Sequence, residues 1–597
     1  MSPPRIVSTI ALIQQLWRQA ELPVNVLENT LRRGNLVLVK EPSDQGQAIQ
    51  SSFHLTAVAQ ACCAAIALAE RLRCALVRLE KSSGSAGELQ SLALDRVQVD
   101  ASHALAEYKG WTKIHLGGSN KRKQEMLKEA IESDSEDAKR VLGIDPNAVA
   151  DWDALAGLYR CRPSSSRGVP AVVRIHTNFP HHKLGILQLL NLAPSTARWN
   201  DVGIHETIFS RVSKQDLQRE LDQWDAFEFE AAAQKRGLCV TVYRSRAEWE
   251  ASEMGAALKT WMGENVDDSA FRISRIASAS NSSLKPREPN ERLRIIDMSR
   301  VIAGPIAARI LAAYGSDVLL LSSEKLPNLP LRELDTARGK RTAFVELPKV
   351  NDAAELRKKM KDLIEVADVV SQAYRPQGLA ERGLSAEAAQ RIRPGIVYAE
   401  LCAFGFTGPW KDRRAYDSLT QTATGINYLE GLSYQQHHSG GVDGVQVEPK
   451  ALPVQALDYA AGSLMCFAIL ACQCRALLER LGGSKDGRAE EDGWKVQISL
   501  ASTAEWIHSL GQIHGDDAWT KPPQEIIPSD VDKLADMTSS YQVRGLADGD
   551  DSERRDVRVL AVRHASIPAE GEAHESEDSG FRWTVPAHLG VDKLKWT

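Results

Sequence analysis

Residues 294–323, which read Arg-Ile-Ile-Asp-Met-Ser-Arg-Val-Ile-Ala-Gly-Pro into an alanine-rich run, constrain the fold of this 597-residue chain more than any other stretch. A β-branched pair, Ile295 and Ile296, leads through a polar turn to Ala303-Gly304-Pro305, and Asp317-Val-Leu-Leu-Leu321 follows as a second apolar run. The spacing predicts a strand–helix–strand unit. Glycine lets the backbone approach closely at the turn, and proline suits a helix's first turn. A nucleotide cofactor would call for G-x-G-x-x-G, which is missing, so taken alone the unit is an ordinary βαβ.

Four further segments change that reading: Thr336-Ala-Arg-Gly-Lys-Arg341, Ala367-Asp-Val-Val-Ser-Gln-Ala-Tyr-Arg-Pro376, Phe404-Gly-Phe-Thr-Gly-Pro-Trp410 and Arg414-Ala-Tyr-Asp417. In this order, with the Ala-Gly-Pro segment ahead of them, they resemble the class III CoA-transferases, the CaiB/BaiF family of formyl-CoA and carnitine CoA-transferases and α-methylacyl-CoA racemases. The resemblance runs from about Leu293 to Ser502. It implies an α/β fold with a Rossmann-like large domain and a smaller α/β domain, and a dimer of interlocked chains.

Composition sets wider bounds. With 43% hydrophobic residues the chain can bury more than one core, and at ~150 residues per domain three or four domains fit. A net charge of −5 without a long basic run gives no nucleic-acid signature. No window approaches ~18 uninterrupted apolar residues, so no membrane span is expected. Met1-Ser-Pro-Pro-Arg5 lacks a signal-peptide core and Lys595-Trp-Thr597 is not a peroxisomal tripeptide. The nine cysteines are scattered or lie in apolar runs, as expected of buried thiols in a cytoplasmic protein, and none has zinc spacing.

An alanine-rich helix, a Val-Gln-Val or Val-Gln-Ile strand and an Ala-Ser-led helix occur twice, at Phe53–Leu72, Asp95–Asp100 and Ala101–Ala106, and again at Pro453–Leu481, Trp494–Ser499 and Ala501–Leu510. This points to a partial internal duplication. The expected division is a degenerate N-terminal module over 1–275 with a small domain at about 150–260, a linker over 276–291, a catalytic module over 292–530, and a C-terminal segment over 531–597. In the small domain, Asp151–Arg160 and Val172–His176 read as strands and Lys214–Gly237 as helix; Asn178-Phe-Pro-His-His182 reads as a solvated loop rather than a metal site, since adjacent histidines do not share a helix face. Ala547–Ser579, acidic and rich in Gly and Ser, reads as an exposed insertion.

The family's chemistry needs a carboxylate that forms a mixed anhydride with the acyl group and then a thioester with CoA. By the resemblance that nucleophile is Asp458, in Pro453-Val-Gln-Ala-Leu-Asp-Tyr-Ala-Ala-Gly462. A helix N-terminus would keep it ionised; from local sequence alone it could equally be only that helix's cap. Aligning the two copies sets Leu55 opposite Asp458, so the N-terminal copy is expected to be inert and the protein a homodimer or a pseudo-dimeric monomer. The resemblance places CoA, bound as substrate with no tightly held cofactor or metal, against Ile302, Ala303, Gly304, Arg338, Lys340, Arg341, Tyr374, Arg375 and Arg414. One departure stands out: Gln372-Ala373-Tyr374 replaces the family's usual Glu-Asn-Phe.

The racemase branch carries a His where this chain has Tyr416, and a tyrosine with a pKa of about 10 is a poor base. The expected activity is therefore transfer of CoA from an acyl-CoA to a carboxylic acid, with racemisation or a non-catalytic scaffold as the alternatives.

Overall fold

The strand–helix–strand pattern at 294–323 forms as predicted and sits inside a seven-stranded sheet. The computed structural model describes residues 6–84, 86–110, 115–118, 152–163, 167–263, 270–278, 292–347, 354–439, 446–482, 491–513, 515–520, 525–528, 531–544, 557–567, 584–586 and 589–596. The strands are β1 (Arg272–Ile276), β2 (Arg294–Met298), β3 (Asp317–Ser322), β4 (Lys340–Phe344), β5 (Val369–Gln372), β6 (Val397–Cys402) and β7 (Gly493–Ser499). Their order is β4-β3-β2-β5-β6-β7-β1. All pairs are parallel except β1 against β7. Neighbours along a strand enter different cores: Ile295, Val318 and Val369 face one, Ile296, Leu319 and Val370 the other. Both faces are covered, which explains the unbroken apolar runs of β3 and β6.

Four helices position the cavity and its support: α1 (Leu55–Lys81), α2 (Ala303–Ala313), α3 (Asp417–Ala423) and α4 (Ala456–Leu481). Helices α1, α2 and α4 share one core. A Cβ at Gly462 would lie 2.5 Å from the Ala303 carbonyl oxygen, so α4 crosses the start of α2 at a distance only glycine allows. By length and composition α1 and α4 could cross a membrane, but 94% and 78% of their apolar windows are buried inside the protein. Tyr108 stacks on Tyr459 at 5.1 Å, joining the two halves of the chain again.

The repeated order of elements is present: α1, strand Val97–Asp100 and helix Ala101–Glu107, then α4, β7 and helix Leu500–Ser509. Asp100 and Ser499 cap the equivalent short helices. Matching the first residues of α1 and α4 sets Ala57, not Leu55, opposite Asp458.

Several expectations about organisation change. β1 belongs to the large sheet, so a boundary after residue 275 cuts a strand; of the linker, residues 279–291 lie outside the described residues. The acidic stretch Ala547–Ser579 is described only over 557–567, where Val557–Val562 forms a strand with Val559, Leu560 and Ala561 fully buried rather than an exposed insertion. That strand pairs with Thr538–Arg544 and with His115–Gly118, which ties the C-terminal segment to the N-terminal module. The small domain is an antiparallel sheet of Gly157–Arg160, Val172–Ile175 and Val240–Val242. Its helices include Pro180–Leu189, Lys214–Leu221 and Ala226–Lys235. Pro180 starts a helix, with Pro favoured at that position, so Asn178–His182 is no solvated loop; His182 is 2% exposed.

A buried polar network links these parts. Glu107 accepts from the Ala565 N–H at 2.8 Å and meets His564 at 3.0 Å and Arg309 of α2 at 3.3 Å. Arg309 also pairs with Asp335 at 2.7 Å, and Asp335 with Arg338 at 2.9 Å. Cys63, Glu107 and His564 bring ligand-type atoms together, but Arg309 holds the other side of the carboxylate, and the cluster reads as an ion network. Burial alone would raise the Glu107 pKa; His564, Arg309 and the Ala565 N–H outweigh it and hold it at about 2. Removing one partner strands buried charges, so Glu107→Ala should cost about 3–5 kcal/mol in urea unfolding, whereas Lys358→Ala, at the exposed Lys358–Asp362 pair, should change stability by less than about 1 kcal/mol.

Candidate active site

The parallel strands end on one side in a cavity of about 550 Å³. Its walls come from just past the C-terminal ends of the strands: Arg300 after β2, Ser323 and Lys325 after β3, Val345–Leu347 after β4, Ala373–Arg375 after β5 and Ala403 after β6. This is where a sheet whose strand order reverses between β2 and β5 opens a crevice. Two other segments close it: Lys411–Tyr416, and His181 and His182 from the small domain. Asp458 reaches the same cavity from the first turn of α4.

The Ala-Gly-Pro turn lines the cavity because it is packed without slack. A Cβ at Gly304 would fall 2.6 Å from Cβ of Ser299 and 2.7 Å from Cβ of Ala373. Beside it Val301 holds φ at 72°, a left-handed conformation that β-branched residues rarely adopt. Behind the turn Lys340 is fully buried, its Nζ donating at 2.8 Å to Asp297 Oδ2 and at 2.8 Å to the Pro305 carbonyl. Strain at Val301 is thus held by a clamp that fixes the end of β2 to the start of α2.

Two carboxylates meet at the start of α4. Asp417 Oδ2 accepts the N–H groups of Leu457 at 2.8 Å and Asp458 at 3.0 Å, and its Oδ1 accepts from Gln421 Nε2. Gln421 Oε1 in turn accepts from Asn427 Nδ2 at 3.0 Å and from the Leu452 N–H at 3.1 Å. Asp417 therefore caps the helix across space, and the residue in the N-cap position, Gln455, makes no side-chain cap bond. Asp458 is neither the cap nor the acceptor of the first free N–H groups. Burial, then the Asp417 charge, push its pKa well up, with Arg332 opposing. Burial also raises Asp417, to about 6, against the pull of the hydrogen bonds it accepts. The expectation that the helix terminus keeps Asp458 ionised is overturned, because Asp417 has taken the groups that would do so.

Of the residues expected to hold CoA, the structure brings Ile302, Ala303, Gly304, Tyr374, Arg375 and Arg414 to the cavity together with Asp458. Arg338, Lys340 and Arg341 stand elsewhere. Arg338 donates to Tyr541 Oη and to the Val562 carbonyl, each at 2.8 Å, besides pairing with Asp335. Lys340 is the buried clamp. Arg341 holds Asp317 at 2.8 Å and the Lys595 carbonyl at 2.7 Å, fastening the C-terminal residues to the sheet edge. Their shared basic segment gives no sign of this, because a strand alternates its faces and each side chain's partners come from distant parts of the chain.

In their place the cavity gains Arg300, Lys325, Arg382, Lys411 and Arg413. Arg300 lies just ahead of the Ala-Gly-Pro turn, and Lys411 and Arg413 lie between Trp410 and Arg414, so their positions beside recognisable motifs could have marked them. His181 and His182 carry no such signal, since nothing local ties the small domain to this site. Burial, with Arg414 and Arg300 nearby, lowers His181 to about 4, and burial drives His182 well below its usual value, so both are neutral near pH 7. His176 stacks on Tyr416 at 4.0 Å.

Residues 291–535 match the model of CoA-transferase family III. An acyl-CoA transferase of Gibberella moniliformis is 30% identical over 298 residues, which cover 48% of this chain and 50% of the relative. Another, from Fusarium pseudograminearum, is 28% identical over 46% of this chain and 59% of its own. The chain thus spans about half the length of these curated relatives. A hypothetical protein of Mycobacterium tuberculosis with a solved structure is 25% identical, covers 38% of this chain and 58% of its own, and superposes with a TM-score of 0.29.

The carboxylate pair has a consequence for stability. The folded pKa of Asp458 lies above the unfolded value of about 3.9, so folding carries a penalty that is absent below the unfolded value, grows as pH rises above it, and is complete once pH exceeds the folded value. Asp458→Asn removes that charge and leaves the Asp417 cap in place. Its melting temperature should exceed the parent's at pH 8, with the gap closing toward pH 5; a lower melting temperature at pH 8 would contradict the assignment.

Proposed function

We propose that the chain, whose residues 291–535 match CoA-transferase family III, moves CoA between carboxylic acids, with Asp458 as the nucleophile. One observation carries this reading: Asp458 lines a cavity that presents seven Arg and Lys residues and, among the described residues, only Glu346 as a further acid. CoA is a polyanion whose thioester end must reach a nucleophile while its phosphates meet cations. The β4-β3-β2-β5-β6-β7 order supports a Rossmann-like large domain, with CoA lying along the Ala-Gly-Pro turn and Tyr374.

In the proposed cycle, the Asp458 carboxylate attacks the thioester carbonyl carbon, the C–S bond breaks, and CoA leaves as a thiolate from a mixed anhydride. The thiolate then attacks the Asp458 acyl carbon. This releases the first acid as its carboxylate and leaves an aspartyl-CoA thioester. The incoming carboxylate attacks that thioester and expels the thiolate. The thiolate finally attacks the new acyl carbon, giving the product thioester and restoring Asp458. Burial serves this chemistry twice: a poorly solvated carboxylate is a stronger nucleophile, and water is kept from both intermediates.

The recurrence of the helix–strand–helix order supports an internal duplication in which the N-terminal copy, with Ala57 opposite Asp458, contributes structure and no second reaction. We place the protein in the cytoplasm, acting as a homodimer or as a pseudo-dimeric monomer.

Asp458→Asn should lower transfer by at least about 10³-fold with acyl-CoA binding by calorimetry little changed. Substantial transfer by that variant would remove the covalent mechanism. Because attack needs ionised Asp458, kcat/KM should fall as pH drops through its raised pKa. Asp417→Asn withdraws a neighbouring negative charge, so the acid limb should move to lower pH while activity above it persists; an unmoved limb would mean that the two carboxylates do not interact.

A further inference from the structure

The amide of Gln421 is oriented by partners of fixed polarity. Its Oε1 accepts the Leu452 N–H at 3.1 Å, and a backbone N–H can only donate. Nε2 is therefore the end that meets Asp417 Oδ1. The next amide is pinned in the same way. Asn427 Nδ2 donates to the Lys450 carbonyl at 3.1 Å, which can only accept, and to Gln421 Oε1 at 3.0 Å. Asn427 Oδ1 accepts from Thr422 Oγ1 at 2.8 Å. Asp417, Gln421, Thr422 and Asn427 are each at most 2% exposed, so this order of donors and acceptors is sheltered from water.

The run of donors ends on Asp417. Gln421 Nε2 donates to its Oδ1, and the N–H groups of Leu457 and Asp458 to its Oδ2. None of the three has a lone pair that could take a proton from Asp417, and three donated bonds favour the carboxylate form. Among the described residues no donor bonds the Asp458 carboxyl. Neighbouring buried carboxyls resist ionising together, so the proton they share belongs on the one without donors.

Resting on the reading of Asp458 as the nucleophile, we infer that Gln421 is a positioning residue for transfer: its amide, held by Leu452 and Asn427, keeps Asp417 the ionised member of the pair and leaves the proton on Asp458, which must lose it before attacking. The proton passes from Asp458 to the cavity that Asp458 lines, and no bond to carbon changes in that step. The order of the two groups agrees, with Asp417 at about 6 and Asp458 pushed well up.

The charged groups around the pair leave this assignment to Gln421. Arg174, from the small-domain strand Val172–Ile175, acts on Asp417 and Arg332 acts on Asp458; both stay cationic wherever carboxyls titrate. His176, at about 3, and His508, at about 4 and bonded to the Thr424 carbonyl just past α3, are neutral above pH 5. Burial keeps the Tyr416 phenol neutral as well. On the helix of His508, Glu505 pairs with Arg246 at 2.5 Å. On the helix of Asn427, Glu430 is raised to about 7 by burial, but it accepts from Ser52 Oγ at 2.6 Å and is unchanged in every variant compared.

The test is the pH profile of kcat/KM in the full chain. Gln421→Met removes the donor, so the proton shifts toward Asp417. The acid limb should then fall by at least about 0.5 pH unit, a threefold gain in ionised Asp458 on the limb. Asp417→Asn should move it further the same way, and the double variant should match Asp417→Asn, because Gln421 acts through Asp417. A role in packing alone would lower kcat/KM at every pH and leave the midpoint in place, which overturns the inference. A double variant that shifts beyond Asp417→Asn overturns it as well. Gln421→Met strands the buried Leu452 N–H, so a measurement on the parent stands beside it. Neutron diffraction at neutral pD should show a deuteron on Asp458, none on Asp417, and the deuterated amide nitrogen of Gln421 toward Asp417. A deuteron on Asp417 overturns the inference. Transfer that survives Asp458→Asn would instead remove the nucleophile reading, with the proton's place still decided by the neutron structure.

Discussion

Everything at this site hangs on one carboxylate that sits at the end of a helix it does not belong to. Asp417 accepts the first N–H groups of α4 at 2.8 and 3.0 Å, and so fixes where the helix carrying Asp458 begins. The bond also fixes the electrostatics. The positive end of the helix dipole is spent on Asp417, which leaves Asp458 buried beside a negative charge with its proton hard to remove. A single interaction thereby orders the nucleophile and sets its basicity.

The rest of the fold supplies the stiffness that such an arrangement needs. Gly462 lets α4 lie against the start of α2, Gly304 lets α2 lie against Ser299 and Ala373, and buried Lys340 holds the Pro305 carbonyl and Asp297 together. A left-handed Val301 and a buried Asp458 are both unfavourable alone. They persist because close-packed neighbours leave no room to relax. The cores on either face of the sheet, and the Glu107–Arg309–Asp335–Arg338 network behind α2, provide that resistance.

Local pattern carried the parts of the fold that depend on neighbours in sequence. The βαβ unit was legible from Ile295–Leu321, the recurring helix–strand–helix order from its alanine-rich and Val-Gln runs, and the helix of Asp458 from Pro453–Leu481, though it starts at Ala456. Faces and distant partners were not legible. Arg338, Lys340 and Arg341 look alike in a row, yet their burial and bonds are set by Tyr541, Asp297 and Lys595, far along the chain. His181 and His182 read as a loop because their helix is held by packing in the small domain, and only tertiary structure brings them to Arg300 and Tyr416. The strand at Val557–Val562 was hidden by the acidic residues on either side of it.

That Asp458 carries the acyl group is tested most directly by incubation with an acyl-CoA followed by hydroxylamine, then peptide mapping by mass spectrometry. A covalent role for Asp458 predicts a hydroxamate on the peptide containing it, dependent on acyl-CoA and absent from Asp458→Asn. An unmodified Asp458 peptide in protein that turns over acyl-CoA, or a hydroxamate on another carboxylate, would contradict it.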